Sequence, residues 1–463
     1  MNQKEIEGLL KVNDIRAVYG SELKDEHAYE IGKAFVTYIG SKKIVVGRDG
    51  RVSSPALAKA FMKGANECGV DVIDVGVLDT PGLYFATAFL NLPGVMITAS
   101  HNPAKYNGIK FCRPPAIPIG EINGMEDIAQ IALSGKYKTS KKKGKVVKKN
   151  IWKQYTKHVL SFANIKKLNA LKAVFDVGNG MGGIVVPETY KKLPLKITKL
   201  YFKVDGNFPN HVPNPAINEN LADLQKKVLE TKADYGVALD GDCDRAVFVD
   251  EKGEIVNNSV LACVMFDNYF AKEKNKRTIY SSTCSKIFKE TVEKAGGMAM
   301  REKVGHLFIK ARMRKEDSVF GCEETGHFYY KDNFYADSGI ITSIVMYEIL
   351  SRTGKKLSEL SAPYKKYAKA EEVSLKVEDR KAVVKAVEEI YKSRAKTISH
   401  DDGLIIEFGD YWFSVKPANT EPLLRINIEG NDKKILQIKQ KELLNFIENF
   451  EKKVQKVEVP IAA

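Results

Sequence analysis

The stretch KIVVGRDGRVSSPALAKAFMKGANECGVDVIDVG, residues 43–76, alternates an apolar run, a helix-like segment and a second apolar run. The short runs KIVVG and VDVIDV are typical of buried strands, whereas SPALAKAFMKGANE between them has apolar residues at helical spacing. This order predicts a strand–helix–strand unit with parallel strands. A short helix at TPGLYFATAF (80–89) and a third strand at GVMITA (94–99) complete the first pass.

The same order of elements recurs twice more before residue 350, which predicts three similar domains with parallel-type sheets. Each pass ends in a polar cluster just after its third strand, and ligands of open α/β sheets collect beyond the carboxyl ends of strands. We therefore expect the loops TASHNP (98–103), DGDCDR (240–245) and EETGH (323–327) to face one cleft. The strands and helices of the second and third passes are expected at LKAVFDV (171–177), GGIVVPETYKKL (182–193), KITKLYF (196–202), NLADLQKKVLE (220–230), DYGVALD (234–240), RTIYSS (277–282), KIFKETVEKA (286–295), MAMREKV (298–304), LFIKARMRKE (307–316) and SVFGCEE (318–324).

After about residue 365 the pattern changes. A helical segment at 377–396 precedes the short strands LIIEF, YWFSVK and LLRINIE and a lysine-rich amphipathic helix, which predicts an α+β domain. The predicted fold class is therefore α/β, with three similar mixed α/β domains plus a C-terminal α+β domain arranged around one central cleft. The predicted domains are 1–145, 146–256, 257–364 and 365–463, and the run 136–150 is the expected solvated linker between the first two.

Composition restricts the class of partner. The chain has 463 residues, a net charge of +15 and a pI of about 9.2, which suits nucleic acid, an anionic surface or a phosphorylated substrate. No nucleic-acid-binding signature accompanies the charge, so we expect no nucleic-acid partner. The six cysteines lie far apart without a CxxC pair, as is typical of free thiols in a reducing compartment. Because the N-terminus lacks an apolar signal core and no stretch reaches spanning length, we expect a cytoplasmic protein without a membrane partner.

The motif DGDCDR provides carboxylates at Asp240, Asp242 and Asp244, directly after the last strand of the second pass. Hard oxygen ligands at this spacing suit Mg²⁺ or Ca²⁺, and Gly241 opens the tight loop. A calcium EF-hand is excluded because Arg245 occupies its sixth position, where glycine is required, and because the flanks are strand-like. An aspartate-nucleophile phosphatase and a solvated acidic turn both stay open at this point. Arg245 adds a cation that suits a phosphate.

A second anion site is indicated by VKPANTEPLLRI, residues 415–426. Backbone amides in the turn and the hydroxyl of Thr420 suit a bound anion, and Lys416 and Arg425 supply positive charge. Taken alone, this stretch is equally compatible with a plain β-turn.

A third polar loop is GCEETGH, residues 321–327. Glu323, Thr325 and His327 suit hydrogen bonds to sugar hydroxyls, although a surface turn is the simpler interpretation of this loop alone. The nearby KVGH (303–306) is a weaker signal, because His306 is equally compatible with a packing role.

The adjacent Ser100 and His101 raise the question of hydrolase chemistry. Neighbouring residues in an extended segment point to opposite sides, so we expect His101 to be badly placed as a base for Ser100. The chain also has no GxSxG elbow. A serine near metal-type carboxylates, cations and an anion site fits a phosphorylated serine better. Lys110, just after the turn at 107–108, is a candidate general acid or base for the same site.

These motifs, in this order and spacing, resemble those of the α-D-phosphohexomutase family over essentially the whole chain. TASHNP, DGDxDR and the NTEP loop together form a highly specific combination, and KVGH followed by IK resembles the phosphomannomutase/phosphoglucomutase subgroup. The similar stretches are DIR (14–16), VVGRDGRVSSPALAKAF (45–61), TASHNPAKYNGIKF (98–111), DVGNGMGG (176–183), VDGNFPNHVPNP (204–215), DGDCDR (240–245), GCEETGH (321–327) and NTEPLLR (419–425).

The resemblance implies four domains around a deep cleft, Mg²⁺ as cofactor, and reversible interconversion of hexose 1-phosphate and hexose 6-phosphate. It implies that Ser100 is a phosphoserine and that its phosphate shares the metal with the three aspartates of DGDCDR. The remaining implied roles are catalytic cations at Arg16, Lys110 and Arg245, sugar contacts at Lys303, His306, Glu323, Thr325 and His327, and a distal phosphate site at Lys416, Asn419, Thr420 and Arg425.

The implied reaction passes through a hexose 1,6-bisphosphate, which also serves as activator and turns end for end between two transfers. We expect mannose or glucose phosphates as substrates and a monomer or weak homodimer. Phosphoglucosamine mutase stays open, although that branch usually has glycine in place of Asn419, as do a magnesium-dependent phosphatase and a non-catalytic phosphosugar-binding protein. Lys416 and Ala418 replace a usual arginine and serine, which puts phosphate affinity in doubt because lysine cannot form a bidentate fork.

Overall fold

A computed structural model describes residues 1–270, 272–418 and 422–457. Within those ranges the chain forms four sheets in succession, three mixed and one antiparallel, each packed with helices. The predicted fold class is therefore confirmed. No helix in these ranges combines the length and the apolar character needed to cross a membrane.

The first sheet contains the strand that ends at the serine loop. The elements are α1 (Gln3–Leu9), β1 (Ile15–Val18), α2 (Asp25–Ile39), β2 (Lys43–Arg48), α3 (Ser54–Glu67), β3 (Asp71–Val77), α4 (Thr80–Leu90), β4 (Gly94–Ile97), β5 (Tyr106–Arg113), β6 (Ile117–Ile119), α5 (Met125–Ser134) and β7 (Val146–Lys148). Its strand order is β1-β5-β4-β2-β3-β7, with β6 paired to β5. Strands β2, β3, β4 and β7 are parallel, whereas β5 is antiparallel to β4 and β1.

The second sheet contains the strand that ends at the acidic loop. The elements are α6 (Trp152–Leu160), β8 (Leu171–Asp176), α7 (Gly182–Tyr190), β9 (Leu195–Leu200), α8 (Ala222–Thr231), β10 (Tyr235–Leu239), β11 (Ala246–Asp250) and β12 (Ile255–Val256). Its strand order is β12-β11-β10-β8-β9.

The third sheet contains the strand that ends at the EETGH loop. The elements are α9 (Asn258–Met265), continued by a π-helical turn (Phe266–Phe270), β13 (Arg277–Ser281), α10 (Lys286–Lys294), β14 (Met298–Glu302), α11 (His306–Glu316), β15 (Phe320–Cys322), β16 (Phe328–Tyr330), β17 (Ala336–Asp337), α12 (Gly339–Thr353) and α13 (Leu357–Ser361). Its strand order is β14-β13-β15-β16-β17.

The fourth sheet is antiparallel throughout the described residues. The elements are β18 (Ala368–Lys369), β19 (Val373–Lys376), α14 (Arg380–Tyr391), β20 (Thr397–Ser399), β21 (Leu404–Glu407), β22 (Tyr411–Pro417), β23 (Leu423–Gly430) and α15 (Lys433–Val457). Its strand order is β18-β23-β22-β21-β20, with β19 paired to β23.

The first three sheets repeat one connection pattern. In each, the first strand of the pass lies between the second and the third, and an antiparallel strand then follows the third: β3-β2-β4-β5, β9-β8-β10-β11 and β14-β13-β15-β16. The expectation of parallel-type sheets was wrong at this fourth strand. Each polar loop is consequently the turn of an antiparallel pair at the carboxyl end of the third strand.

The expected linker between the first two domains is only partly a linker. Residues 138–143 are exposed and outside helix and strand, but β7 at 146–148 pairs with β3 at the edge of the first sheet. The predicted boundaries at 145, 256 and 364 stay a prediction.

One apolar core runs through the first three sheets and fixes their loops relative to one another. It contains Val45 of the first sheet, Phe175 of the second and Phe320 of the third. The fourth sheet packs with α14 and α15 around a core of its own, which includes Phe413.

Helices α2 and α3 cross where two glycines let their backbones approach. A Cβ on Gly32 would lie 2.4 Å from the carbonyl oxygen of Phe61, and a Cβ on Gly64 would lie 2.1 Å from that of Tyr29. A main-chain carbonyl cannot rotate away as the end of a side chain can, so this crossing requires glycine at both positions.

We expect Gly32→Ala to lower the free energy of unfolding by about 1–3 kcal/mol, because the added methyl group overpacks a main-chain contact. Gly8→Ala is the matched control, since nothing lies within 4 Å of a Cβ at that position of α1. The control should gain up to about 1 kcal/mol from the better helix propensity of alanine. Urea denaturation followed by circular dichroism measures both variants, and a Gly32→Ala protein as stable as the control would contradict this packing.

Candidate active site

Ser100 lies in the loop after β4, where the backbone leaves the extended conformation. Its φ is +50°, and its N–H donates to Thr98 Oγ1 at 2.9 Å. Its buried hydroxyl donates to Asp240 Oδ2 at 3.0 Å, which joins the serine loop of the first domain to the acidic loop of the second. The loops TASHNP and DGDCDR, which were expected to face one cleft, are therefore in contact through Ser100 and Asp240.

The expected separation of His101 from Ser100 was wrong. The Nδ1 atom of His101 lies 3.1 Å from Ser100 Oγ, because the left-handed conformation of Ser100 removes the alternation of an extended segment. Burial, together with Arg245 and Arg16, lowers the pKa of His101 well below its usual range. The ring is thus neutral, and within the described part of the chain no carboxylate forms an ion pair with it. A hydrolase triad would need that third group.

The three aspartates of DGDCDR are buried together, as the sequence predicted. Ligand oxygens of Asp240, Asp242 and Asp244 lie within 4.8 Å of one another, and at most 1% of each residue is exposed. Within the described residues, the Oδ1 atoms of Asp242 and Asp244 have no hydrogen-bond partner. Buried carboxylate oxygens that lack partners are costly unless a cation or a donor satisfies them. This acidic triad could hold a metal ion, and its oxygens are of the type that hard divalent cations prefer.

The pKa values of Asp240 and Asp244 shift in opposite directions. Burial and the charges of Asp244 and Asp242 raise the pKa of Asp240 well above its usual range. Burial also opposes ionisation of Asp244, but Lys110, His327 and Arg245 lower its pKa well below the usual range. The charge of the triad is therefore concentrated on the side nearest these cations.

Lys110 on β5 supplies the counter-charge. Its buried Nζ atom lies 3.0 Å from Asp242 Oδ2 and 2.8 Å from Asp244 Oδ2. Burial alone would lower the pKa of Lys110, but the two aspartates raise it well above its usual range. Lys110 is therefore a protonated ammonium that can donate a proton.

Two arginines complete the group of cations around the serine loop. Arg16 on β1 donates through Nη1 to Asn102 Oδ1 at 2.8 Å and pairs with Asp14. Arg245 follows the acidic triad, and its Nε atom donates to His327 Nε2 at 2.9 Å and lies 3.9 Å from Asp240 Oδ2. These contacts hold both guanidinium groups in positions from which they can bind an anion near Ser100.

The EETGH loop of the third domain is closed by its own backbone. Glu323 N–H donates to the carbonyl of His327 at 2.9 Å, and the Glu323 carboxylate accepts from the N–H of Gly305 at 3.2 Å and from the hydroxyl of Tyr329. Thr325 is partly exposed at the tip of the loop. Glu323 is accordingly held in a fixed orientation, with Thr325 beside it.

The KVGH segment leads into α11 next to this loop. Lys303 is exposed, whereas His306 is buried and neither of its ring nitrogens has a hydrogen-bond partner in the part of the chain that the structure describes. Burial and the charge of Lys310 lower the pKa of His306 well below its usual range, so this imidazole is neutral.

A buried ion pair behind the site escaped the sequence analysis. His327 Nδ1 lies 2.8 Å from Asp337 Oδ2, and Asp337 Oδ1 lies 2.6 Å from Lys310 Nζ. Although burial opposes it, Lys310 and His327 lower the pKa of Asp337. Lys310 was part of the recognised IK pair, but Asp337 ends the short strand β17 with no motif around it. Thr80 was also missed; its hydroxyl donates to Asp242 Oδ2 at 2.5 Å from the first turn of α4.

The fourth domain contributes two of the expected basic residues. Lys416 and Arg425 face each other across β22 and β23, and Lys416 Nζ donates to the carboxylate of Asp402. Asp402 Oδ2 also accepts from Ser282 Oγ at 2.5 Å and from the N–H of Val304 at 3.1 Å, which ties this domain to the third. The other two residues expected here, Asn419 and Thr420, lie outside the described residues.

Comparisons with known proteins agree along the whole chain. Four family models match in order: "Phosphoglucomutase/phosphomannomutase, alpha/beta/alpha domain I" at 8–138, domain II at 153–253, domain III at 258–367 and the C-terminal domain at 372–445. A phosphomannomutase of Vibrio cholerae is 36% identical over 455 residues, which covers 95% of this chain and 98% of that protein. A phosphomannomutase of Escherichia coli K12 is 34% identical over 447 residues and covers 94% and 98%. The solved structure of a phosphoglucomutase/phosphomannomutase family protein from Burkholderia thailandensis has a TM-score of 0.88 at 29% identity, and covers 97% of this chain and 98% of that one.

We expect Lys110→Met to lower the free energy of unfolding at pH 7 by about 3–5 kcal/mol, because it leaves buried carboxylates without a counter-charge. Since Lys110 helps to lower the pKa of Asp244, this stabilisation is complete above the ordinary aspartate pKa of about 3.9 and is lost only as the pH falls towards the lowered value. Urea denaturation at several pH values measures the difference.

Lys331→Met is the control for this substitution. Lys331 forms an ion pair of the same length with Asp317, at 2.7 Å, but both side chains are substantially exposed. Its loss should cost about 1 kcal/mol or less. Equal losses in the two variants would contradict the assignment of Lys110 as the buried counter-charge.

Proposed function

This chain belongs to the phosphoglucomutase/phosphomannomutase family, and on that basis we propose how its residues carry out the family reaction. It is a hexose-phosphate mutase, an intramolecular phosphotransferase that interconverts hexose 1-phosphate and hexose 6-phosphate. The observation that carries the residue assignment is the 3.0 Å hydrogen bond between Ser100 Oγ and Asp240 Oδ2. This contact sets the Ser100 hydroxyl against the acidic triad, at the aspartate oxygen that also lies 3.9 Å from Arg245 Nε.

Ser100 carries the transferable phosphoryl group. In the first transfer the bond between Ser100 Oγ and phosphorus breaks, and a bond forms between phosphorus and the free hydroxyl oxygen of the hexose monophosphate. Lys110, held as an ammonium, gives its proton to the departing Ser100 oxygen, and the amine that this leaves accepts the proton of the attacking sugar hydroxyl. Arg16 and Arg245 offset the charge on the transferring group.

The acidic triad is proposed to bind Mg²⁺. Asp240, Asp242 and Asp244 supply hard oxygen ligands, and the unpartnered Oδ1 atoms of Asp242 and Asp244 fit a small divalent cation. The Ser100 oxygen or its phosphate completes the set. When bound, Mg²⁺ neutralises charge on the phosphoryl group during transfer.

The second transfer requires the hexose 1,6-bisphosphate to turn end for end. The phosphate that came from Ser100 then lies at the basic residues of the fourth domain, Lys416 and Arg425. The phosphate that the substrate brought faces Ser100. Glu323 and Thr325 read the sugar hydroxyls in both orientations, with Lys303, His306 and His327 beside them. A loop that reads hydroxyls in two orientations tolerates either epimer, so we propose mannose and glucose phosphates as substrates.

The proposed setting is the cytoplasm, with phosphosugars as partners and a monomer or weak homodimer as the working form. All six cysteines are buried and unpaired, which supports a reducing compartment.

We expect Ser100→Ala to lower mutase turnover by at least about 10³-fold, because no other group can carry the phosphoryl group between transfers. The variant should also fail to take up labelled phosphate from hexose 1,6-bisphosphate, as measured by intact-protein mass spectrometry. Ser134→Ala, at an exposed site at the end of α5, should match the unmodified protein in both measurements. Phosphate release by Ser100→Ala at the normal rate would instead identify a phosphatase that uses an aspartate of the triad.

The sugar is tested by coupled assays with mannose, glucose and glucosamine 1-phosphates in the presence of Mg²⁺ and a bisphosphate activator. Exclusive use of the glucosamine ester would overturn the proposed substrate class. Binding without turnover of any ester would identify a non-catalytic phosphosugar-binding protein.

We expect EDTA to abolish activity and Mg²⁺ to restore it. At a Mg²⁺ concentration of about 100 times its Kd, binding to the folded triad should raise the free energy of unfolding by about 2.7 kcal/mol. Asp242→Asn should remove most of this stabilisation, whereas Asp410→Asn, in an exposed turn between β21 and β22 of the fourth domain, should keep it. An unfolding curve that does not respond to Mg²⁺ in the unmodified protein would contradict the proposed metal site.

A further inference from the structure

The serine loop is held from behind by the side chain of Arg51, which precedes α3. Arg51 is 2% exposed, and its guanidinium donates to four main-chain carbonyls of the loop. Nη2 donates to Ser100 at 2.8 Å and to Asn102 at 2.7 Å, and Nη1 donates to Pro103 and Tyr106 at 3.0 Å each. One planar side chain thus holds four carbonyls between Ser100 and the first residue of β5.

Arg51 is itself held in place. Its Nε atom lies 3.2 Å from Asp49 Oδ2, and its backbone N–H donates to Asp49 Oδ1 at 3.0 Å. The hydroxyl of Ser54 donates to the same Oδ1 atom at 2.5 Å, which fixes the carboxylate in turn. The guanidinium is therefore preorganised, so little freedom is lost when it binds the loop.

A segment of the second domain, residues 204–215, covers Arg51 from the other side. The ring of Phe208 lies 4.9 Å from the guanidinium carbon, and Phe208 adopts a φ of +49°, which is rare for a bulky residue. A Cβ on Gly206 would lie 2.7 Å from Arg51 Cα. A strained backbone and a close approach in one segment indicate that contact with Arg51 is specified.

The same segment reaches the acidic loop. Gly241 N–H donates to the carbonyl of Pro213 at 3.2 Å, and a Cβ on Gly241 would lie 2.4 Å from the carbonyl oxygen of Ser100. The Ser100 carbonyl is therefore fixed by Arg51 and packed against Gly241. Ser100 has a φ of +50°, a backbone conformation that persists only where the surrounding structure holds it. Release of its carbonyl would let the backbone relax and move the hydroxyl away from Asp240.

We propose that Arg51 is a positioning residue, which sets the Ser100 hydroxyl against Asp240 for phosphoryl transfer and is itself held by Phe208. This rests on the proposed role of Ser100 as the phosphoryl carrier. Arg51 contacts only the main chain of the loop, so its loss should affect the transfer step rather than substrate binding. A displacement of about 1 Å at a reacting atom is enough to lower a rate about 10²-fold.

The test compares Arg51→Lys with Arg314→Lys in the full chain. Arg314 also donates to four main-chain carbonyls, at Lys310, Pro115, Ala116 and Phe334, but none of them belongs to the serine loop. A lysine at either position keeps the charge and loses the fork that spans several carbonyls. The two variants should therefore lose similar stability.

Steady-state kinetics with hexose 1-phosphate and the rate of Ser100 phosphorylation by hexose 1,6-bisphosphate separate the possibilities. We expect Arg51→Lys to lower kcat and the phosphorylation rate about 10²-fold with KM changed less than about threefold, whereas Arg314→Lys keeps kcat within about threefold. Equal kcat losses in both variants, or a normal kcat in Arg51→Lys, would overturn the proposal.

Phe208→Leu is a milder variant that leaves Arg51 in place and provides the test if Arg51→Lys does not fold. It should lower kcat by about 3–10-fold at unchanged KM, since Arg51 loses only the contact of its guanidinium with the Phe208 ring. An unchanged kcat and phosphorylation rate in Phe208→Leu would overturn the role of the second-domain segment. Failure of the underlying function is distinguished by the unmodified protein, which would then show neither turnover nor a phosphate on Ser100.

Discussion

The rest of the site depends on the ion pairs that the Lys110 ammonium forms with two aspartates of the acidic triad. Three carboxylates buried within a few ångströms of one another repel, and burial already raises the pKa of Asp240. Lys110 enters from the first domain and pairs with Asp242 and Asp244 of the second, so the same contact balances charge and aligns two loops. The continuous apolar core behind the three sheets makes that alignment rigid, since neither loop can withdraw without exposing packed side chains.

Polar contacts continue from this pair into the third domain. His327 Nδ1 lies 3.8 Å from Asp244 Oδ1 and 2.8 Å from Asp337 Oδ2, and Asp337 pairs with Lys310, so the imidazole connects two buried ion pairs. The Oδ1 atoms of Asp242 and Asp244, which lack hydrogen-bond partners among the described residues, are the atoms that a bound cation would satisfy. A site assembled this way is preorganised for a dianionic phosphoryl group, because its dipoles and charges need little rearrangement during transfer.

Much of the fold was predictable from the sequence because strand and helix periods alternate cleanly. The strand before each polar loop is an apolar run, as in β10, and its position at the edge of the cleft follows from the topology of parallel sheets. The antiparallel strands were not predictable, because β5 carries Asn107, Lys110 and Arg113 and so lacks an alternating pattern. The Ser100–His101 contact was mispredicted because a local rule for extended chains fails at a left-handed residue. The Asp337–Lys310 pair joins residues 27 positions apart, and only the fold shows that they meet.

The fourth domain shows how one substitution from the usual family pattern changes the balance of charges. Lys416 presents a single ammonium, and that ammonium already donates to Asp402, which also accepts from Ser282 of the third domain. A phosphate that reaches Lys416 must therefore share its cation with a buried carboxylate. An arginine could donate to both at once through its fork, whereas lysine offers a point charge that is divided between them. At the proposed distal phosphate site, Asp402 would therefore compete with the phosphate for this ammonium. Asp402 also accepts from Ser282 and from the N–H of Val304, so the carboxylate that pairs with Lys416 is the same one that ties the third and fourth domains together.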